Sequence, residues 1–258
     1  MSDLERVKLE LEQFLDGIDG KDTTEFVRDL CEFAAKIGDD VGGALLDAHP
    51  ELLAYAARLK PRFDEFLIQR DIAEVRRIQG LDLDAPISFR DIASKPSVDA
   101  YDRVNEMFDH VDFRECRRVV MVGCGRRPFT MFHIHDKTDV PEIVGLDIVP
   151  EALEAGEALA GRLGYDRARF VLCDGIAYDF GGADLVYVSA MVSPKAAVVS
   201  RIVDTAPGHV HITVREPYAL GRLWSESAVR PLDPRLEIAG SGTGAWSLSR
   251  DVHLKRRP

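Results

Sequence analysis

Apolar residues recur every three or four positions through most of residues 1–108, which is the spacing of amphipathic helices. Proline and glycine mark the ends of these segments: Pro50 interrupts one of them, Pro61 suits the first turn of the next, and Gly80 ends it. A loop is expected over residues 80–96. The pattern therefore predicts helices at 4–15, 24–37, 41–59, 61–78 and 97–108.

Beyond residue 115, short runs of apolar and β-branched residues alternate with longer helical patterns. This rhythm is typical of parallel strands that are joined by helical crossovers. Two further runs at 236–240 and 246–250 flank a glycine-rich turn and predict an antiparallel hairpin. The other predicted strands are 118–123, 142–148, 168–173, 184–190 and 208–215, and the predicted helices are 128–136, 150–163, 194–205 and 217–228.

The two patterns divide the chain into two predicted domains. Residues 1–115 are predicted to form an all-helical domain that covers a substrate, and residues 116–258 an α/β domain that holds the cofactor. The α/β part is predicted to be a mostly parallel, Rossmann-like sheet of seven strands that finishes with the antiparallel hairpin. This architecture is typical of the class I methyltransferase-like fold.

The end of the first predicted strand carries the clearest chemical signal. The strand stops at Gly123-Cys124-Gly125, and glycine lets a backbone approach a ligand closely because it has no Cβ. Asp147 ends the next strand, where a carboxylate accepts hydrogen bonds from both hydroxyls of a ribose. The turn lacks the third glycine of the dinucleotide fingerprint, and a second acid, Asp174, ends the following strand. Together these features favour S-adenosylmethionine over NAD.

Each of these positions also has a structural alternative. Asp147 is otherwise a strand-end acid or a helix N-cap, and the glycine pair is otherwise a tight turn without a ligand. Asp174 is predicted to read the adenine amino group beside Gly175 and Ile176. The ten residues predicted to contact the cofactor are Gly123, Cys124, Gly125, Arg127, Asp147, Ile148, Asp174, Gly175, Ile176 and Ser189.

Composition and charge narrow the function classes. The 258 residues are 46% hydrophobic and 30% charged, as in globular proteins, and no apolar run reaches the roughly 20 residues that span a bilayer. The formal net charge of −11 argues against a nucleic-acid partner, whose phosphates it would repel. No secretory signal pattern opens the chain, and the four cysteines show no Cys-x-x-Cys spacing. We therefore expect a cytoplasmic protein with reduced cysteines and no bound metal.

Several segments resemble the nicotianamine synthases and their bacterial opine-metallophore relatives. Residues 123–130, Gly-Cys-Gly-Arg-Arg-Pro-Phe-Thr, are similar to the family's Gly-Ser-Gly-x-x-Pro-x-Thr/Ser signature, whereas ordinary methyltransferases more often continue as Gly-x-Gly-x-Gly. Residues 188–195 resemble the family's Ala-Ala-Leu-Val-Gly-x-x-Lys segment after the fourth strand. Weaker matches lie at 214–216 with 223–224, and at Pro96 with Tyr101.

The resemblance implies an unusual use of S-adenosylmethionine. Such enzymes transfer its 3-amino-3-carboxypropyl arm to an amine and release 5′-methylthioadenosine, as in metallophore biosynthesis. An external amino acid is the expected acceptor and the expected small-molecule partner. Two alternatives stay open: attack by the cofactor's own amine, which closes azetidine-2-carboxylate, and methyl transfer to a small molecule. A homodimer is also left open.

Three residues are candidates for the reacting end of the ligand. Tyr101 is predicted either to face the sulfonium, since an aromatic ring attracts a cation by roughly 0.5–2 kcal/mol, or to be a helix core residue. Ser189 and Ala190 end the fourth predicted strand. They are predicted either to lie beneath the sulfonium and the amine or to be ordinary packing residues.

Arginines are candidates for binding the carboxylate of the methionine arm, because a guanidinium gives a bidentate contact. Arg126 and Arg127 stand where the family has bulky apolar residues, and one of the two is predicted to take this role. Arg215 is a weaker candidate. Two histidine pairs lack a third ligand and are expected to be surface or structural residues: His133 with His135, and His209 with His211. Three glutamates, Glu51, Glu65 and Glu74, could hold the reacting amine, and their spacing selects none of them.

Overall fold

The sheet sets the architecture of this chain, whose computed structural model describes residues 3–20, 22–84, 86–242 and 248–257. Its strand order is β3-β2-β1-β4-β5-β7-β6. Strands β1 to β5 are parallel, and β7 is inserted antiparallel between β5 and β6. The strands are β1 Arg118–Val122, β2 Glu142–Asp147, β3 Ala168–Leu172, β4 Leu185–Val188, β5 His211–Pro217, β6 Leu236–Ser241 and β7 Ser249–Arg256. The predicted fold class is confirmed.

Helices precede the sheet and connect its strands. The second helix is capped at both ends: Asp22 accepts hydrogen bonds from the backbone N–H groups of Thr24 and Glu25, and Gly38 ends the helix with a φ of 79°. The α-helices are α1 Asp3–Asp16, α2 Thr23–Ile37, α3 Asp39–Ala48, α4 Ala56–Gln79, α5 Phe89–Ile92, α6 Lys95–Asp102, α7 Phe129–Lys137, α8 Pro150–Leu163 and α9 Lys195–Thr205. Shorter 3₁₀ segments span Gly17–Gly20, Pro50–Tyr55, Arg103–Asp109 and Ala219–Leu223.

One predicted helix is wrong. Residues 217–228 hold only the 3₁₀ segment Ala219–Leu223, although Leu220, Leu223 and Trp224 have helical spacing. Gly221 lies very close to the backbone just before β7, since a Cβ on Gly221 would clash with the carbonyl oxygen of Leu248. This close approach and the contacts of the two leucines with the N-terminal helices fix a shorter element than the pattern predicts.

Other boundaries also differ from the pattern. Pro61 lies inside α4 instead of opening a helix, and a short helix, α5, occupies part of the predicted loop 80–96. The fifth strand begins at His211 instead of residue 208. The second hairpin strand, predicted at 246–250, begins at Ser249 and runs further than predicted, and residues 246 and 247 lie outside the described part.

The N-terminal helices pack against the segment that follows β5. Leu220 and Leu223 belong to the same buried cluster as the apolar faces of α1 to α4. Trp224 stacks on Phe63 of α4 with ring centroids 3.9 Å apart. The helical part therefore packs on the segment that follows the carboxyl end of β5, and the boundary at residue 115 stays a prediction. Within the described residues, no helix is both long and apolar enough to cross a membrane.

Candidate functional site

The turn between β1 and α7 is shaped by two glycines. Gly123 and Gly125 have φ angles of 74° and 68°, in the left-handed region that favours glycine. The N–H groups of Gly123 and Cys124 donate to the carbonyl oxygen of Leu146 on β2, at 2.8 and 3.0 Å. A Cβ on Gly123 would lie 2.7 Å from Cγ2 of Val192, so a larger residue would not fit. The turn is thus held against the carboxyl end of β2.

Cys124 contributes backbone and not side-chain chemistry to this turn. Its thiol is buried beneath the sheet, where a Cβ on Gly145 would lie 2.9 Å from the sulfur. Burial, and then the nearby charge of Asp147, raise the pKa of the Cys124 thiol to about 12. The thiol is therefore protonated, and it packs against Gly145 in the core.

Asp147 links β2 to the glycine turn. Its Oδ2 accepts a hydrogen bond from the N–H of Gly125 at 2.8 Å, and its Oδ1 accepts one from the N–H of Val149 at 3.0 Å. A carboxylate offers about four lone-pair sites. It therefore keeps acceptor capacity for the hydroxyls of a ligand while these two bonds fix its orientation.

Exposed apolar side chains flank the acids at this edge. Ile148 is 62% exposed and Ile176 is 43% exposed, although both are large hydrophobic residues. Asp174 orients the second of them, because its Oδ1 accepts a hydrogen bond from the N–H of Ile176 at 3.0 Å. Gly175 is buried, and a Cβ on it would lie 2.7 Å from Cγ1 of Val122. Apolar surface beside hydrogen-bonding acids suits a flat heterocycle with polar edges.

Ser189 is the first residue after β4 and lies next to the glycine turn. Its N–H donates to the carbonyl oxygen of Val122 at 3.1 Å. Its Oγ is buried and has no hydrogen-bond partner among the described residues. An unpaired buried hydroxyl costs about 1–3 kcal/mol, so this oxygen is a good acceptor or donor for a ligand. Ala190 follows it, and its carbonyl oxygen accepts from Ser225 Oγ at 3.0 Å.

The predicted carboxylate-binding arginines are engaged by the protein itself. Arg127 is 4% exposed, lies 2.8 Å from Asp71 Oδ1 of α4 through Nη2, and donates through Nη1 to Ser97 of α6. Arg126 donates to the carbonyl oxygen of Glu151 at 2.8 Å. Arg127 therefore ties the helical part to the glycine turn, and its contact with a cofactor stays a prediction.

Tyr101 lies in the helical core, which corrects its predicted contact with a sulfonium. Its side chain is 1% exposed, and its hydroxyl donates to Asp136 Oδ2 at 2.6 Å, near the end of α7 remote from the glycine turn. The ring packs 4.4 Å from that of His133 and 6.2 Å from that of Phe89. Burial, and then Asp136, raise the pKa of Tyr101. The core alternative is the one that the structure supports.

Among the three glutamates considered from the sequence, Glu74 alone is buried. Burial would raise its pKa, but hydrogen bonds from Arg77 and from the backbone of Ser94 outweigh it and lower the pKa to about 2. These bonds are 2.9 and 3.1 Å from Arg77 and 2.7 Å from the Ser94 N–H. Glu74 is thus an anion that holds Ser94, the residue just before α6, by a hydrogen bond. Glu51 and Glu65 are exposed.

Three groups near this edge were not predicted to have a role. Asp71 is the partner of Arg127, and Arg103 lies near Arg215. Lys195 is fully buried, and its Nζ donates to the carbonyl oxygen of Arg215 at 2.8 Å. Burial lowers the pKa of Lys195 to about 8, against the opposing effects of Glu216 and Glu226. The only sequence signal for Lys195 was its place in the family-like segment.

The histidine pairs are dispersed. His133 is buried in the core, while His135 and His209 lie near Asp166 and Asp184, at 3.2 and 3.3 Å. In the described ranges, no three histidine, cysteine or acidic side chains come together as a metal site.

The sheet order and the glycine turn define the class I methyltransferase-like fold. Mitomycin 7-O-methyltransferase MmcR shares it with a TM-score of 0.51 and 18% identity, over 61% of this chain and 54% of that chain. No protein-family model and no curated protein matches the sequence.

The likeness to MtNAS, a nicotianamine synthase, includes the helical part as well. A glutamate-to-glutamine variant of MtNAS in complex with S-adenosylmethionine has a TM-score of 0.76 and 17% identity, over 99% of this chain and 98% of that chain. MtNAS in complex with MTA and tNA has a TM-score of 0.73 and 18% identity, over 99% and 97%. The predicted resemblance is therefore confirmed at the level of the fold.

Proposed function

We propose that the protein is an S-adenosylmethionine-dependent transferase that moves the 3-amino-3-carboxypropyl arm to the amine of an external amino acid. The observation that carries this proposal is the likeness to MtNAS over 99% of the chain. Methyltransferases such as MmcR match only part of it, whereas MtNAS has both the sheet and the helices that cover it. The helical part, which would surround the acceptor, thus supports this proposal over methyl transfer.

The cofactor lies along the carboxyl edge of β1 to β4 in this proposal. The ribose hydroxyls donate to Asp147, whose orientation is already fixed by Gly125 and Val149. The adenine lies between Ile148 and Ile176, with its polar edge towards Asp174. The methionine arm passes the glycine turn towards Ser189, whose otherwise unpaired Oγ would form a hydrogen bond with it.

The reaction is a displacement at the γ-carbon of the arm. The neutral amine forms a C–N bond as the C–S bond breaks, and the electron pair of that bond remains on sulfur in 5′-methylthioadenosine. The new ammonium then releases a proton to water or to a basic group. Geometry decides which of the three carbons on the sulfonium reacts, so the arm must be held in line with the amine.

Identification of the adenosine product tests the proposal. The purified protein is incubated with S-adenosylmethionine, with and without L-histidine or L-glutamate, and the products are separated by mass spectrometry. We expect 5′-methylthioadenosine and an amino-acid adduct only when an acceptor is present. Methylthioadenosine and azetidine-2-carboxylate without an acceptor would show cyclisation instead. S-Adenosylhomocysteine as the product would contradict the proposal in favour of methyl transfer.

A further inference from the structure

Arg103 begins the 3₁₀ segment Arg103–Asp109 and is half-buried. Its backbone N–H donates to carbonyl oxygens of α6, but among the residues that the structure describes none forms a hydrogen bond or ion pair with its guanidinium. By contrast, two exposed arginines elsewhere are paired with acids: Arg90 donates a hydrogen bond to Asp102, and Arg114 donates one to Asp112, each at 2.8 Å. A guanidinium has five N–H donors. The guanidinium of Arg103 therefore lies in a partly buried place where the described parts of the chain offer it no hydrogen-bond acceptor.

The surroundings of Arg103 are already rich in positive charge. Its charged neighbours include Arg215 and Arg70, and one nearby acid, Asp251, already accepts hydrogen bonds from other side chains. Asp251 Oδ1 accepts from Arg215 at 3.2 Å and from the Tyr187 hydroxyl at 3.1 Å. Burial first, and the charge of Arg215 second, lower the pKa of Arg103. Three arginines, Arg70, Arg103 and Arg215, thus lie near one another in a chain whose formal net charge is −11.

This cationic group borders the candidate site. Val188 of β4 is in register with Val214 of β5. Ser189, which follows β4, therefore lies beside Arg215 of β5 at the carboxyl edge of the sheet. In α4, Arg70 directly precedes Asp71, and Asp71 pairs with Arg127 of the glycine turn. Arg103 interacts electrostatically with both Arg215 and Arg70. It therefore lies on the side of Ser189 that is remote from Asp147.

We propose that Arg103, with Arg70 beside it, binds a carboxylate of an amino-acid ligand at this end of the site. The inference rests on the proposed function and names the chemical group that its ligand presents. Two ligands carry such a carboxylate: the methionine arm of S-adenosylmethionine and the acceptor amino acid. A planar guanidinium matches a carboxylate with two parallel hydrogen bonds, which a lysine does not reproduce.

Matched ligand pairs test the proposal on the intact protein. The first pair is S-adenosylmethionine and its decarboxylated form, compared by calorimetric affinity. The second is L-histidine and L-histidinamide, compared as acceptors by the KM and rate of methylthioadenosine release. The variants are Arg103→Gln and Arg103→Lys, with Arg114→Gln as the control because Arg114 is an exposed arginine outside the site. Thermal unfolding verifies that each variant is folded.

We expect the wild-type protein to prefer the carboxylate form of at least one pair by about tenfold or more, the effect of a charged hydrogen bond. Arg103→Gln should remove that preference, Arg103→Lys should restore part of it, and Arg114→Gln should keep it. Loss of preference in the first pair assigns the methionine arm, and loss in the second assigns the acceptor. If Arg103→Gln does not fold, the Lys variant and the wild-type preference provide the test.

Two results separate this inference from the proposed function. Equal preferences in wild-type and Arg103→Gln, or no preference in either pair, would overturn the carboxylate site even if methylthioadenosine is produced. Conversely, an Arg103-dependent preference for S-adenosylmethionine over its decarboxylated form would support the site even if the product were S-adenosylhomocysteine. Absence of any binding or turnover would overturn both.

Discussion

The two halves of the sheet's carboxyl edge differ in kind. Around β2 and β3, the side chains are exposed and simple: Ile148 and Ile176 offer apolar surface, and Asp147 offers a carboxylate. Around β4 and β5, the charged groups are buried and interlinked, as in Arg215 with Asp251 and in Lys195. We call the part around β2 and β3 the adenosine half, because it would hold the adenosine of the proposed cofactor, and the part around β4 and β5 the charged half. The second half, with Ser189 and the arginines, is where this chain's own ligand preference would be set.

The largest expected effect concerns the contact of Arg127 that joins the helical part to the glycine turn. Arg127→Ala would leave Asp71 near the glycine turn without its 2.8 Å partner and remove a nearly fully buried side chain. Breaking a buried ion pair costs about 3–5 kcal/mol. We expect the free energy of unfolding to fall by about 3 kcal/mol in urea denaturation. Arg126→Ala, at the adjacent and more exposed position, is the control and should lose less than 1 kcal/mol, roughly.

The outcome also decides what Arg127 does. Asp71→Asn combined with Arg127→Met should recover part of the lost stability, because both charges are then absent. An Arg127→Ala protein of wild-type stability but weakened S-adenosylmethionine binding would instead favour the predicted cofactor contact.

Asp147 tests the adenosine half. Asp147→Ala removes the proposed acceptor of two ribose hydroxyls and also the bonds that hold Gly125 and Val149. We expect the affinity for S-adenosylmethionine to fall by roughly 100-fold, since each hydrogen bond to a charged group contributes about 1.5–3 kcal/mol. Calorimetry measures this change. Asp179→Ala is the control, because Asp179 also holds a turn by accepting from the Gly181 N–H at 2.9 Å, but lies away from the ligand.

The pH dependence of stability tests the charged half through Lys195. Its pKa falls from 10.5 to about 8 on folding, chiefly because it is buried. Between these pH values the unfolded chain binds this proton more strongly than the folded chain, so the contribution of Lys195 to stability rises with pH. Lys195→Met lacks this dependence. We expect the unfolding free energy of the variant minus that of wild type to decrease by about 2 kcal/mol from pH 8 to 10.5.

Urea denaturation at a series of pH values measures this difference. The exposed Lys255→Met serves as the control and should show an almost constant difference from wild type. A constant difference for Lys195→Met as well would mean that the buried lysine keeps its ordinary pKa.

Tyr101→Phe has the smallest expected effect and marks the limit of the site. The variant keeps the ring in its aromatic cluster but loses the hydrogen bond to Asp136, which still accepts from Ser88 and Tyr165 at 2.7 and 3.0 Å. We expect a loss of about 1 kcal/mol in unfolding free energy and an unchanged affinity for S-adenosylmethionine. Weaker binding of S-adenosylmethionine together with a wild-type unfolding free energy would instead indicate that the Tyr101 hydroxyl contacts the ligand.

The sequence predicted the adenosine half better than the charged half. A β-branched strand that stops at Gly123, and an acid at residue 147, are local signals that the parallel sheet brings together at one edge. Asp251 and Arg215 look like exposed charges in a sequence, because their burial depends on the pairing of β5 with β7. The predicted helix at 217–228 was wrong for the same reason: contacts of Leu220 and Gly221 with distant segments fix that element. Arg103 likewise has no local signal.

Calorimetric titration of the wild-type protein with S-adenosylmethionine and with 5′-methylthioadenosine tests the central claim most directly. The account predicts saturable, one-to-one binding of both compounds, because both carry the adenosine that Asp147, Ile148 and Ile176 would hold. It also predicts that Asp147→Ala weakens both by a similar factor. No heat of binding for either compound under conditions where the protein is folded would contradict the account.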